Sequence, residues 1–315
     1  MFYAKGSYRF LCIEKIGIRR GRSMIKTVAV LLAGIISISF AAIFIRFCDD
    51  VPSIMIATWR LTAASVILLA FFRLRGHTFA TVGRADLILS CCGGLFLALH
   101  FILWITSLKY TSVASSVVLV TTNPIFVGIF SYLFLKEKQH IELVIGIILC
   151  LIGSILIATG DGGFVGLFIV NREALLGDIL ALGGAIMASG YLLVGSRVRE
   201  KLDILTYITI VYTVAALILV VLSLALDIPF TGYRHSSYLF MVLLAIVPQL
   251  IGHTAINWSL KHLRTSMVAI TILGEPIGAS ILAYLFFGES VSSFQTIGIA
   301  AIFTAIMISS RKGKK

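Results

Sequence analysis

Apolar runs of 18 to 24 residues recur along this chain, separated by short linkers that hold most of the charge. A helix rises 1.5 Å per residue, so about 20 such residues cross about 30 Å of hydrocarbon. The runs are too long for membrane barrel strands, which need only about ten residues. Ten helical spans are predicted: 26–47, 54–72, 86–107, 112–134, 141–159, 175–196, 204–226, 237–260, 265–287 and 293–310. The longest linker, 161–174, is Gly-rich and divides the spans five and five.

Composition agrees with this pattern. The chain is 59% hydrophobic and 13% charged, against about 45–50% and about 25% in soluble domains. Its 21 Phe and 10 Tyr exclude a disordered chain, and 5 Cys in 315 residues exclude a disulfide scaffold. Cys48, Cys91, Cys92 and Cys150 lie in or beside spans and are expected as free thiols. The net charge of +12 would fit nucleic acid, but its distribution points elsewhere. On alternate sides of ten spans, 21 basic residues fall on the side of the two termini and 4 on the other, with Arg60 inside a span. Lys and Arg accumulate in cytoplasmic loops, so both termini are expected in the cytoplasm and no nucleic acid is implied. Residues 1–24 form a basic tail without a signal-peptide core. Two readings of it are open: a cytoplasmic anchor, or a start at Met24. A second basic tail follows at 311–315.

The sequence also repeats. At a shift of 152, Leu108-Lys109 falls on Leu260-Lys261 and Pro124-Ile125 on Pro276-Ile277. Tyr132-Leu-Phe134 falls on Tyr284-Leu-Phe286, Glu137 on Glu289, and Ile145-Gly-Ile147 on Ile297-Gly-Ile299. The units are 25–160 and 175–310, each of five spans. Five is odd, so the second unit enters the bilayer from the opposite side. Inverted repeats are a transporter architecture, because two similar units can exchange conformations around one midplane site. The fold class expected is an all-α integral membrane protein of ten transmembrane helices in two inverted five-helix repeats.

The stretch from Trp104 to Asn123-Pro124 with Lys136-Glu137, and Gly274-Glu-Pro276 with Gly288-Glu289, resembles the EamA family of the drug/metabolite transporter superfamily. The resemblance covers about residues 25–310. It implies a ten-helix secondary transporter of small metabolites in the plasma or inner membrane. It also implies a cavity lined by the third, fourth, eighth and ninth helices with the first and sixth.

Ionisable residues within a span cost about 2.5–3.5 kcal/mol each, so the few present are candidates. Glu275 lies midway along the ninth span beside Pro276, where a proline frees a backbone carbonyl and kinks the helix. It would carry a proton or pair with a cationic group, or else sit protonated in a helix contact. The first unit has Asn123-Pro124 at that place, so the half-sites differ chemically. Arg60 either snorkels to the surface or pairs with Glu275 or a substrate carboxylate. His100 and His253 occupy comparable places in the third and eighth spans, as proton carriers or structural hydrogen-bonders. Gln249, His253 and Asn257 recur at i, i+4 and i+8, one polar stripe that must face the protein interior. Trp104 and Tyr191 are candidate cavity aromatics, and Tyr212 a weaker one. Ser37, Ser39, Thr121, Thr122 and Ser189 are expected to bond their own backbone.

No P-loop, zinc-protease or nucleophile-elbow motif occurs, and no Cys/His cluster has metal-ligand spacing. No cofactor is implied. Energy would come from an ion or solute gradient, or the protein is a facilitator. The expected partners are a small-molecule substrate and the bilayer, with a homodimer as an open arrangement. One acid, one Arg and two His suit an amino acid or related zwitterion. A lipid or lipid-linked-sugar flippase of the same fold, a channel and an intramembrane enzyme are the alternatives.

Overall fold

A computed structural model describes residues 5–111, 113–136, 141–158, 172–288 and 293–310. Glu137, Lys138, Glu289, most of the loop 161–174 and the tail 311–315 lie outside them, as do the side chains of 5–24 and of Cys150. The first unit comprises α1 (Lys5–Arg46), α2 (Ser53–Leu74), α3 (Arg84–Ser107), α4 (Val113–Val120), α5 (Asn123–Leu135) and α6 (Ile141–Ala158). The second comprises α7 (Arg172–Val198), α8 (Ile204–Ala225), α9 (His235–Leu244), a π-helical stretch (Ala245–His253), α10 (Thr254–Ser259), α11 (Thr265–Ile272), α12 (Glu275–Phe287) and α13 (Ser293–Ser310).

Eight helices among the described residues are long and apolar enough to span a bilayer. The fifth and tenth expected spans are the 18-residue helices α6 and α13, packed on each other. The expected first boundary moves outward, since α1 begins at Lys5 and continues into the span from Ile25. Many large apolar side chains are exposed, among them Ile36, Val66, Leu217 and Val221. On a helix bundle of this composition such a surface is satisfied by acyl chains.

Three expected continuous spans are interrupted, each at a proline. Pro124 and Pro276 open α5 and α12, the second halves of the fourth and ninth spans. Proline is tolerated in a first helical turn, where its missing N–H has no intrahelical acceptor. In the eighth span Pro248 sits inside the helix, which widens there to the π form. The two breaks are equivalent: α4 and α11, α5 and α12, and α6 and α13 each begin 152 residues apart. The left-handed residues Lys136 (φ 53°) and Gly288 (φ 67°), which end α5 and α12, keep the same spacing.

The units interleave. Helix α3 packs on α7 and α8, α2 on α8, and α1 on the π stretch, α10 and α12. Close approach at the α1 contact depends on Gly252, where a Cβ would lie 2.6 Å from Ile38 Cγ2. At one end of the bundle the α1–α2 turn is tied to the start of α9. Asp50 accepts from the Arg234 backbone N–H at 2.8 Å and the Ser237 hydroxyl at 2.6 Å, and the Arg234 guanidinium bonds Asp49 and Asp50. The corresponding turn after α7 reaches the start of α3 through Lys201–Asp86 at 3.4 Å. Burial pushes the Asp50 carboxyl up, but the bonds from Arg234 and Ser237 outweigh it and hold the group below its ordinary value. A depressed carboxyl stabilises the fold above its unfolded pKa and loses that effect as pH falls through the folded one. Asp50→Ala should therefore lower the melting temperature of purified protein at pH 7. The gap from wild type should close as pH drops below about 4.

Candidate functional site

The interruptions and the interleaved packing leave a void inside the bundle. Its wall includes Ile38 and Ala41 of α1, Arg60 of α2, His100 and Trp104 of α3, and Val120, Thr121 and Asn123 at the α4–α5 break. Tyr191 of α7, His253 and Ile256 of the eighth span, and Ile272 and Glu275 at the α11–α12 break also line it. Seven of the nine expected polar and aromatic site residues thus share one cavity: Arg60, His100, Trp104, Asn123, Tyr191, His253 and Glu275.

The two helix breaks place the two half-site residues. Asn123 and Glu275 are the first residues of α5 and α12, so each projects from the start of a half-helix. Glu275 is 9% exposed, and its backbone carbonyl accepts from Ser39 Oγ at 3.3 Å. Asn123 receives Ser189 Oγ on its backbone carbonyl at 3.1 Å, while among the described residues its side-chain Oδ1 has no partner.

Arg60 does not snorkel. It is 0% exposed, because α2 is surrounded at that level by α3, α8 and the π stretch. Its Nε donates to Gln249 Oε1 at 2.9 Å, and its Cζ lies 4.0 Å from the centre of the Phe101 ring. Among the described residues Nη1 and Nη2 have no hydrogen-bond partner. Arg60 and Glu275 line the same void, and among the described residues no direct ion pair joins them. His100 Nδ1 is 3.0 Å from the Gly184 carbonyl, which requires the proton on Nδ1 and leaves Nε2 as the acceptor. The His100 ring lies parallel to Trp104 at 5.9 Å.

The polar stripe of the eighth span is corrected by the geometry. All three residues face the interior, but only His253 lines the void. The π stretch has more residues per turn than an α-helix, so the i, i+4, i+8 register does not hold one line through it. Gln249 turns to Arg60 instead. Asn257 Nδ2 donates to the Tyr191 hydroxyl and, at 2.8 Å, to the His253 carbonyl. Tyr212 lies behind the wall and donates to the Gln249 carbonyl at 3.4 Å. The small hydroxyls behave as their positions imply: Ser37, Ser39, Thr121 and Ser189 bond the carbonyl four residues back, and Thr122 the one three back. Thr121 also reaches the cavity wall.

Phe101 escaped the sequence reading. One aromatic among many in apolar spans carries no signal of its own, and its contact with Arg60 and its edge-on packing on His253 at 5.4 Å are tertiary facts.

The description EamA-like transporter family matches this sequence twice, over residues 25–159 and 175–311. The chain belongs to that family. Among curated relatives, the EamA chain is 24% identical over 294 residues to the uncharacterized transporter YxxF of Bacillus subtilis, covering 92% of both. It is 27% identical over 260 residues to the uncharacterized inner membrane transporter YedA of Escherichia coli, covering 82% of this chain and 81% of that one. An uncharacterized transporter of Clostridium kluyveri shares 26% over 228 residues, 72% of this chain and 73% of the relative. A solved crystal structure superposes with a TM-score of 0.72 at 18% identity, covering 90% of this chain and 96% of that one, and shows the same fold. This EamA protein is therefore a multi-pass membrane transporter. To the helices expected around its cavity, the geometry adds α2 through Arg60.

Proposed function

We propose that this protein is a secondary carrier that moves a small zwitterionic metabolite, such as an amino acid, by alternating access around the cavity. In this reading, ten spans form two inverted units, residues 25–160 and 175–310, with both termini cytoplasmic. The observation that carries it is the chemistry of the void. Arg60 from one unit and Glu275 from the other face a common space. Around them, Trp104 Nε1, Asn123 Oδ1 and His253 Nδ1 are buried without partners among the described residues. A buried polar atom left unpaired costs about 1–3 kcal/mol, so such a set persists where water or a ligand satisfies it. Opposite charges at separate points of one void suit a solute that carries both signs.

Proteoliposome flux tests the reading. Counterflow of an amino acid, with uptake that responds to a pH gradient if Glu275 or His253 carries protons, is expected; single-channel currents would replace the carrier by a pore. Orientation has its own test. Cysteines introduced at Ser7 and Gly313 should resist impermeant thiol reagents outside intact cells, and one at Gly163 should react. Labelling of both tails from outside would reverse the topology.

A further inference from the structure

We infer that Arg60 is a pre-oriented seat for the substrate's carboxylate, and that Gln249 and Phe101, one behind the cavity wall and the other packed beneath the guanidinium, are the positioning residues that make it one. This rests on the carrier reading above and adds which end of the solute binds where.

The argument follows the guanidinium atom by atom. It has five N–H donors in a fixed planar fork. The Nε–H is taken by Gln249 Oε1 at 2.9 Å. One face of the plane is covered by the Phe101 ring at 4.0 Å, a cation–π contact that strengthens when desolvated. These two contacts fix both the in-plane rotation and the tilt of the group. What remains is the Nη1–Nη2 edge. Both nitrogens are buried and unpartnered, on a side chain that lines the void. Two parallel N–H groups at that spacing match the two oxygens of a carboxylate, and a lysine cannot reproduce the match. Glu275 shares the cavity but does not occupy this edge. It is left for the cationic end of the solute, which orders the substrate across the cavity.

Phe101 and Gln249 also explain why a charge is tolerated here. A lone buried cation is expensive. The aromatic face and the amide oxygen offset part of that cost without neutralising the charge, so the attraction for an anionic oxygen survives. A carboxylate of this protein placed on the same edge would have consumed it.

The test uses purified full-length carrier and a panel of L-amino acids paired with their α-carboxamides, which keep size and amine but lose the anionic oxygen. Binding is read by ligand-dependent thermal shift and by competition in counterflow. For amino acids that bind wild type, the matching amide should bind at least tenfold more weakly, a difference of about 1.4 kcal/mol. Arg60→Lys keeps the positive charge but loses the two-point match, and should reduce that acid-over-amide preference. Gln249→Met, which keeps length but removes the acceptor, should raise KM for the acid and reduce the preference with little change in kcat. Gln249→Glu restores the acceptor oxygen but adds a competing carboxylate, and should weaken acid binding further than Gln249→Met does. Phe101→Leu serves where Arg60→Lys fails to purify as a monodisperse protein, and should likewise reduce the preference. A role confined to folding would lower yield and melting temperature but leave the acid-to-amide ratio of the folded fraction unchanged, and that result overturns the proposal. Equal binding of acid and amide to wild type overturns the seat while leaving the carrier reading intact. Binding of neither removes both.

Discussion

Glu275→Gln should lower transport at least tenfold, about 1.4 kcal/mol in effective free energy, with normal membrane insertion. The substitution keeps shape and hydrogen-bonding reach and removes only the ability to ionise. The group sits at the start of α12, in a cavity that Arg60 also lines. If Glu275 receives the cationic end of the solute or a transported proton, Gln cannot replace it in either task. The measurement is uptake and counterflow in proteoliposomes over a range of pH, with and without an imposed gradient. Retained flux with retained pH dependence would return Glu275 to a purely structural contact, and the carboxylate seat at Arg60 would then need another account of substrate polarity.

Gly278→Ala should be as damaging, for a steric reason that has a built-in rescue. A Cβ at position 278 would overlap Ser39 Oγ and lie 2.7 Å from Ser39 Cβ. The hydroxyl can rotate away, but Ser39 Cβ is fixed to the α1 backbone, so α1 and α12 must separate. Overpacking of this kind costs about 1–3 kcal/mol. Here it also displaces the Ser39 bond to the Glu275 carbonyl, which helps to hold the α12 half-helix against α1. The expected result is a lower melting temperature and reduced flux. Ser39→Gly removes the opposing Cβ and Oγ, so the double variant Gly278→Ala with Ser39→Gly should recover most of both. No recovery would show that the two helices are not in contact through these residues. Gly274 and Gly278 form a G-x-x-x-G pair of the kind that lets helices approach closely; which helix they approach, and through which serine, is read only from the folded chain.

How much of this was legible beforehand follows from the range of each interaction. The span positions, the basic side of the linkers and the 152-residue repeat came from the sequence, because crossing a bilayer constrains every residue of a run and a repeat is a comparison of letters. The candidates also came from it, because a charge, a histidine or an amide inside an apolar run is costly enough to be rare. Their arrangement did not. Whether Pro124 and Pro276 bend a helix or end it depends on what packs around them; here α5 and α12 begin beside them. The stripe of Gln249, His253 and Asn257 split because Pro248 lies in a π stretch, which changes the register by an amount no α-helical spacing anticipates. Arg60 had two readings that local sequence cannot separate: a long side chain near a helix end reaches water or stays inside depending on its neighbours. Helices α3, α8 and the π stretch enclose it, and Phe101 and Gln249 hold its plane. The sequence by itself determined a membrane-spanning bundle of two related units and the small set of polar residues in its interior, because burial in lipid acts on each residue separately. Tertiary structure alone decided which of those residues face a common void and which stand behind it, because that depends on pairs of side chains brought together from helices far apart in the chain.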